Sequence, residues 1–144
     1  MAIKSGKDRK RDLRQLADEL PLRILIAEDN IINQKLLLSI LEMLGYHADA
    51  VSDGPEVLSL MKDKKYDLIL MDIQMPQMNG EETTGQLREL FKEDGPKIIA
   101  VTAYAMEGDK EKFMKAGMDG YISKPFRMEE LVNEIKRVTR SGEH

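Results

Sequence analysis

The chain has 144 residues, 42% hydrophobic and 33% charged, which suits one soluble globular domain of ordinary size. Cysteine is absent, excluding disulfides and thiolate metal sites, and no apolar stretch reaches the roughly 18 residues that a membrane span needs. The net charge of −4 is uneven: residues 1–20 carry six Lys/Arg against four Asp/Glu and the remainder is acidic, which argues against nucleic acid as a partner.

Residues 1–21 read as a leader or linker, helical in part, because Leu13, Leu16 and Leu20 recur at helical spacing before Pro21. Such a segment suits a helix packed on the domain, a dimerising helix, or the tail of a linker from a larger protein. Met1–Arg11 is charged and lacks the apolar core of a secretory signal, and Lys7, Arg9, Lys10 and Arg11, interrupted by Asp8, read as a solvated cluster. The run Leu22–Ala27, closed by Glu28 and Asp29, predicts a first strand over about Arg23–Ala27. Asn30 then caps a helix over Ile31–Leu44, where Ile32, Leu36, Ile40, Met43 and Leu44 recur near a period of 3.6, and Gly45 fits the position after its end. Tyr46–Val51 predicts a second strand, with His47 on it or at its edge. Asp53-Gly54-Pro55 opens a second helix to about Lys64, with Pro at the first helical position. A third strand, Asp67–Met71, closes on Asp72. Gln74-Met75-Pro76-Gln77-Met78-Asn79-Gly80 reads as a loop, and a third helix follows over about Glu81–Lys92. Asp94-Gly95-Pro96 turns into a fourth strand, Lys97–Thr102. A fourth helix over Gly108–Ala116 is closed by Gly117, and a fifth strand, Gly120–Ser123, leads into Lys124. A fifth helix over Met128–Val138 carries Leu131, Ile135 and Val138 on one stripe, and residues 139–144 form a tail.

Five strands each followed by a helix predict an α/β fold with a parallel sheet, and the continuous apolar strands agree, since parallel strands are covered on both faces. In such sheets the carboxyl ends of the strands open onto one crevice. Three carboxylates (Glu28, Asp29, Asp72), the hydroxyl of Thr102 and the ammonium of Lys124 would therefore share a small space. Like charges about 4 Å apart repel by roughly 4 kcal/mol at an effective dielectric near 20, so the acids call for protonation, solvation or a bridging cation. Hard oxygen donors with open positions suit Mg2+. The competing reading, that Asp29-Asn30 only caps a helix, does not extend to Asp72, which is followed by a Met-Pro loop. Asp72 is the candidate nucleophile towards phosphorus, with Lys124 and Thr102 placed to meet phosphoryl oxygens. His47 and His144 make no metal pair, and the ten methionines read as core and loop filler.

Five separated motifs, in order and on the expected strands, resemble the receiver domain of two-component response regulators over about residues 22–138. They are Ile24-Leu25-Ile26-Ala27-Glu28-Asp29-Asn30, Leu70-Met71-Asp72-Ile73-Gln74-Met75-Pro76, Asn79-Gly80, Ala100-Val101-Thr102-Ala103, and Ala116-Gly117-Met118-Asp119-Gly120-Tyr121-Ile122-Ser123-Lys124-Pro125-Phe126. The resemblance implies a doubly wound, flavodoxin-like (βα)5 fold with strand order 2-1-3-4-5. It implies a phosphoacceptor, not a turnover enzyme, that assists its own phosphorylation and dephosphorylation. Asp72 would take a phosphoryl group from phosphohistidine. Glu28, Asp29, Asp72 and the backbone carbonyl of Gln74 would hold Mg2+, with Mn2+ as a substitute. Thr102 and Lys124 would bind phosphoryl oxygens, Thr102 and Tyr121 would form the switch, and Lys124–Pro125 would be a cis peptide. Gln74 and Tyr104 stand where the family tunes phosphoryl lifetime through water access; Tyr104 replaces a smaller polar residue and is expected to slow hydrolysis. The output face would be the fourth helix, fifth strand and fifth helix, through which the family also allows a homodimer.

Ala-Glu-Asp-Asn-x-x-Asn-Gln (residues 27–34) and Met-Asp-Ile-Gln-Met-Pro (residues 71–76) are similar to receivers of hybrid sensor histidine kinases, which trade phosphate with a histidine phosphotransfer domain. The expected partners are therefore a histidine kinase or a histidine phosphotransfer domain, in the cytoplasm, with neither nucleic acid nor membrane contact. With only residues 139–144 after the fifth helix, no DNA-binding effector is expected on this reading. A stand-alone regulator is the alternative, and a pseudo-receiver interaction module a remoter one. A flavin-binding relative would need a Ser/Thr/Gly-rich loop where Glu28-Asp29-Asn30 stands. A haloacid-dehalogenase-type phosphatase would need a second Asp where Gln74 stands.

Overall fold

The computed structural model describes residues 16–103 and 106–140. Strands β1 (Ile24–Ala27), β2 (Asp49–Val51), β3 (Leu68–Asp72), β4 (Lys97–Thr102) and β5 (Gly120–Ser123) alternate with helices α1 (Ile31–Met43), α2 (Gly54–Asp63), α3 (Gly80–Phe91), α4 (Asp109–Ala116) and α5 (Met128–Arg140). All neighbouring strands run parallel, in the order β2-β1-β3-β4-β5. This is the doubly wound, flavodoxin-like arrangement. Among the described residues no helix is long and apolar enough to cross a membrane.

Alternation along the strands divides the interior in two. Ile24, Ile26, Leu68, Leu70, Ile99 and Val101 point to the layer formed by Leu37, Leu41 and Leu44 of the α1 end and by Leu131, Ile135 and Val138 of α5. Leu25, Ile69, Met71, Ile98 and Ala100 point the other way, against Val57 and Met61 of α2, Leu87 of α3 and Phe113 of α4. Every residue of β1 and β3 is buried, so these strands carry no polar face and their acids appear only at their ends.

Two sequence expectations are corrected. The second strand was expected over Tyr46–Val51, but only Asp49–Val51 pairs with β1. Tyr46 belongs to the helix end instead: its N–H donates to the Leu41 carbonyl at 2.9 Å, its ring is buried, and its hydroxyl donates to the Leu20 carbonyl at 2.7 Å. His47 is accordingly exposed ahead of the strand, not on it. In α1 the expected apolar stripe divides between the core, which Leu44 and in part Ile40 join, and the surface. Ile32, Leu36 and Met43 are 73%, 57% and 45% exposed, whereas Leu37 and Leu41 are buried. Apolar residues occur around most of this helix, so periodicity locates the helix without choosing its inward side. A smaller shift brings Gly80 into α3, where Asn79 and Glu82 form a capping box.

Residues 16–19 are helical and pack beside the end of α1, with Leu16 buried and the Ala17 N–H donating to the Leu44 carbonyl at 3.2 Å. Leu13 and the basic cluster lie outside the described residues. On the far side of the sheet, Arg88 ties two further segments to α3. It donates to the carbonyls of Pro96 (2.7 Å) and Gly117 (2.8 Å) and pairs with Asp119 (2.8 Å).

The outer edge of β5 is occupied by α5. Glu134 Oε2 accepts the Tyr121 N–H at 2.9 Å, and Arg137 Nη2 donates to the Asp119 carbonyl at 2.9 Å while paired with Glu134. A Cβ at Gly120 would meet Glu134 Oε2, Arg137 Nη2 and Val138 Cγ1, so glycine here lets these side chains approach the strand closely without shifting. Close approach also fixes Gly80. An added Cβ there would stand 2.5 Å from the Asp72 carbonyl oxygen. The start of α3 thus packs directly behind the end of β3.

Candidate functional site

The carboxyl ends of β1, β3, β4 and β5 supply the polar groups of one crevice. Glu28 and Asp29 follow β1, Asp72 and Thr102 are the last residues of β3 and β4, and Lys124 follows β5. Glu28, Asp72 and Thr102 are buried, and Asp29 is exposed at the mouth. Carboxylate oxygens of Glu28, Asp29 and Asp72 all lie within 4.8 Å of one another. The cap of α1 is Asn30, whose side chain accepts the N–H groups of Ile32 and Asn33 at 3.0 Å, so Asp29 remains a member of the cluster. Donors of this kind, all carboxylate oxygens and fewer than six, fit a hard divalent cation that keeps positions for water or phosphate oxygens.

Lys124 Nζ donates to Glu28 Oε2 at 2.9 Å, an ion pair that the sequence reading did not anticipate. The other oxygen of Glu28 accepts the Asn30 N–H at 3.2 Å and lies 3.4 Å from Asn33 Nδ2. Gln74 reaches the site through its N–H, which donates to Asp72 Oδ1 at 3.2 Å. The Lys124–Pro125 peptide bond is cis. Tyr121 is half-buried, its ring tilted against Phe113 at a centroid distance of 6.1 Å, three residues before Lys124 and outside the acidic cluster. Tyr104 lies outside the described residues. Sequence reasoning passed over Asn33, Gln34, Glu134 and Arg137 as individual residues. Asn33 and Gln34 carried a signal, being adjacent amides followed by Lys35 between the apolar runs Ile31-Ile32 and Leu36-Leu37-Leu38 of α1.

The site holds one ammonium against three carboxylates, and its electrostatics follow from that imbalance. Burial, reinforced by the charge of Glu28 and opposed by Lys124 and the Gln74 N–H, pushes the Asp72 carboxyl up to about 7. A carboxyl raised on folding binds its proton more tightly in the native state than in the unfolded chain. Stability therefore falls as pH rises from about 4, with the whole penalty present above about 7. In chelator at pH 8, Asp72→Asn is expected to melt at a higher temperature than the parent protein, with the difference shrinking towards pH 4. Thermal melts across that range check both the sign and the window.

The sequence matches the response regulator receiver domain over residues 24–136. It is 43% identical over 123 residues to hybrid signal transduction histidine kinase I of Dictyostelium discoideum, a match covering 81% of this chain but 7% of that protein. The chain thus spans a small part of the kinase it resembles. It is 39% identical over 117 residues to the polar-differentiation response regulator DivK of Brucella anthropi, covering 81% of this chain and 95% of DivK. Among solved structures it is similar to the receiver domain of a sensor histidine kinase from Pseudomonas aeruginosa, solved with a magnesium ion coordinated in its active-site cleft. That likeness has 38% identity and a TM-score of 0.73 over 82% of this chain and 97% of the other. Together with the acidic crevice at the strand ends, these matches show that the chain belongs to the response regulator receiver domain family of two-component signalling.

Proposed function

We propose that Asp72 accepts a phosphoryl group from phosphohistidine, on a histidine kinase or a histidine phosphotransfer domain, with Mg2+ held by Glu28, Asp29, Asp72 and the Gln74 backbone carbonyl. The observation that carries this reading is the grouping of three carboxylates within 4.8 Å beside Lys124 and Thr102 at the strand ends. An Asp72 carboxylate oxygen attacks phosphorus as the P–N bond breaks and an O–P bond forms, and the imidazole leaves with the bond's electron pair. Asp72 has to be ionised for this step, which Lys124 and the Gln74 N–H favour. Bound Mg2+ supplies positive charge to the phosphoryl oxygens and relieves the repulsion among the acids. Lys124 moves from Glu28 to a phosphoryl oxygen, and the Thr102 hydroxyl donates to another. The acyl phosphate adds a charge of about −2 at the head of β3. Thr102 and Tyr121 relay it to the face of α4, β5 and α5 by shifting towards and behind the phosphoryl group.

The partner reading is supported by α1. Ile31, Ile32 and Leu36 are exposed at 58%, 73% and 57%, an apolar face that water disfavours. Beside it a groove of about 370 Å³, lined by Leu36, Ile40, Ala103, Pro125 and Phe126, runs up to Lys124. A helical phosphodonor seated there would bring its phosphohistidine towards Asp72. The likeness to hybrid kinases favours a receiver carried within a longer kinase, and the likeness to DivK is what speaks for a stand-alone regulator. An antibody to this domain should detect a cellular polypeptide far larger than 16.4 kDa; a band at that mass establishes the stand-alone form.

Incubation with acetyl phosphate should add one base-labile phosphoryl group by intact mass, only with Mg2+ and not in Asp72→Asn. No gain under any condition would instead make the domain a pseudo-receiver. Leu36→Asp should slow transfer from a phosphorylated histidine donor by about tenfold or more while leaving acetyl phosphate labelling intact, and quench-flow with both donors separates the two.

A further inference from the structure

Asn33 and Gln34 lie in the first turn of α1, and the phosphoryl chemistry above makes no use of them. The amide nitrogen of Gln34 stands 3.1 Å from the Glu28 carbonyl oxygen and 3.2 Å from the Val51 carbonyl oxygen. One side-chain amide therefore spends both of its hydrogens on main-chain carbonyls, one just past β1 and one at the end of β2. The Val51 carbonyl also accepts the Glu28 N–H at 3.0 Å, so the two strand ends are tied twice at the residue that carries the buried acid. Asn33 approaches the carboxylate itself, at 3.4 Å from Oε1, where the Asn30 N–H also donates. Glu28 is thus held at its carbonyl, its N–H and both carboxylate oxygens, the last through Lys124.

We infer that Gln34 is a positioning residue for the cation. By clamping the ends of β1 and β2 it fixes the turn bearing Glu28 and Asp29, so that these acids stand opposite Asp72 before a metal arrives. This inference rests on the Mg2+ reading of the site. Its physical basis is that Mg2+ demands near-ideal octahedral geometry and tolerates little ligand displacement, unlike a larger cation. Ligands left loose would have to be ordered, against their mutual repulsion, at the moment of binding. Groups that hold metal-ligating side chains commonly change affinity by 10–100-fold when removed. Asn33 takes a lesser share, because its contact is longer and Oε1 keeps the Asn30 N–H without it.

The bland alternative is that Gln34 only satisfies two carbonyls and contributes to stability. Gln34→Met keeps the length and shape of the side chain and removes its donors, so it separates the two. Three measurements on the whole chain decide: Mg2+ affinity by calorimetry, melting temperature in chelator, and the Mg2+ dependence of acetyl phosphate labelling. The expected result is a Mg2+ affinity weaker by about 10-fold or more. The half-saturating Mg2+ concentration for labelling should rise by the same factor, and the saturated rate should fall by much less. Asn33→Ala should weaken Mg2+ binding by a smaller factor, and it carries the test if Gln34→Met does not fold. A lower melting temperature with unchanged Mg2+ affinity in both variants would overturn the inference and leave Gln34 a structural residue. Parent protein that binds no Mg2+ would overturn the reading of the site itself, and this inference with it.

Discussion

Three carboxylates within 4.8 Å of one another are a destabilising arrangement in any fold, and the remainder of the domain is organised to hold them there. Parallel strands bring this about with little local machinery. β1 and β3 are buried from end to end, so polar residues can appear only where the strands stop, and the shared register brings those stops together. The layers on both sides of the sheet supply the stability that the acidic end removes. Partial remedies are the Lys124–Glu28 pair and the raised proton affinity of Asp72 that burial and the Glu28 charge bring about.

Helix α1 illustrates how one element serves two surfaces. Its inner side packs Leu37 and Leu41 under the sheet, and its first turn supplies the amides that hold the end of β1. Its outer side exposes Ile32 and Leu36. A residue added or removed within this helix would rotate all three functions at once. The segment at residues 16–20 adds a further constraint, since the Tyr46 hydroxyl and the Ala17 N–H tie it to the same helix end.

How far the molecule could be read from its residues depended on whether the deciding information was local. The strands of the sheet interior were legible because burial on both faces leaves continuous apolar runs such as Leu68–Met71. The helix starts were legible where a capping residue or proline marks them, as at Asn30 and Asp53-Gly54-Pro55. The grouping of Glu28, Asp29, Asp72, Thr102 and Lys124 followed from topology alone, because parallel strands end on the same side. What escaped was decided by neighbours distant in sequence. Tyr46 has the composition of a strand residue but is held by Leu41 and Leu20. The inward face of α1 depends on which side the sheet covers. Glu134 and Arg137 look like an ordinary surface pair at helical spacing, until β5 is found beside them.

An open sheet has two borders where backbone groups invite another polypeptide to add itself as a further strand. On the β5 side that invitation is narrowed: the glutamate and arginine of α5 already hold the Tyr121 amide and the Asp119 carbonyl. A polypeptide adding itself here would first have to displace both of these side chains. Side chains that occupy the edge at this point discourage the fusion of neighbouring sheets there.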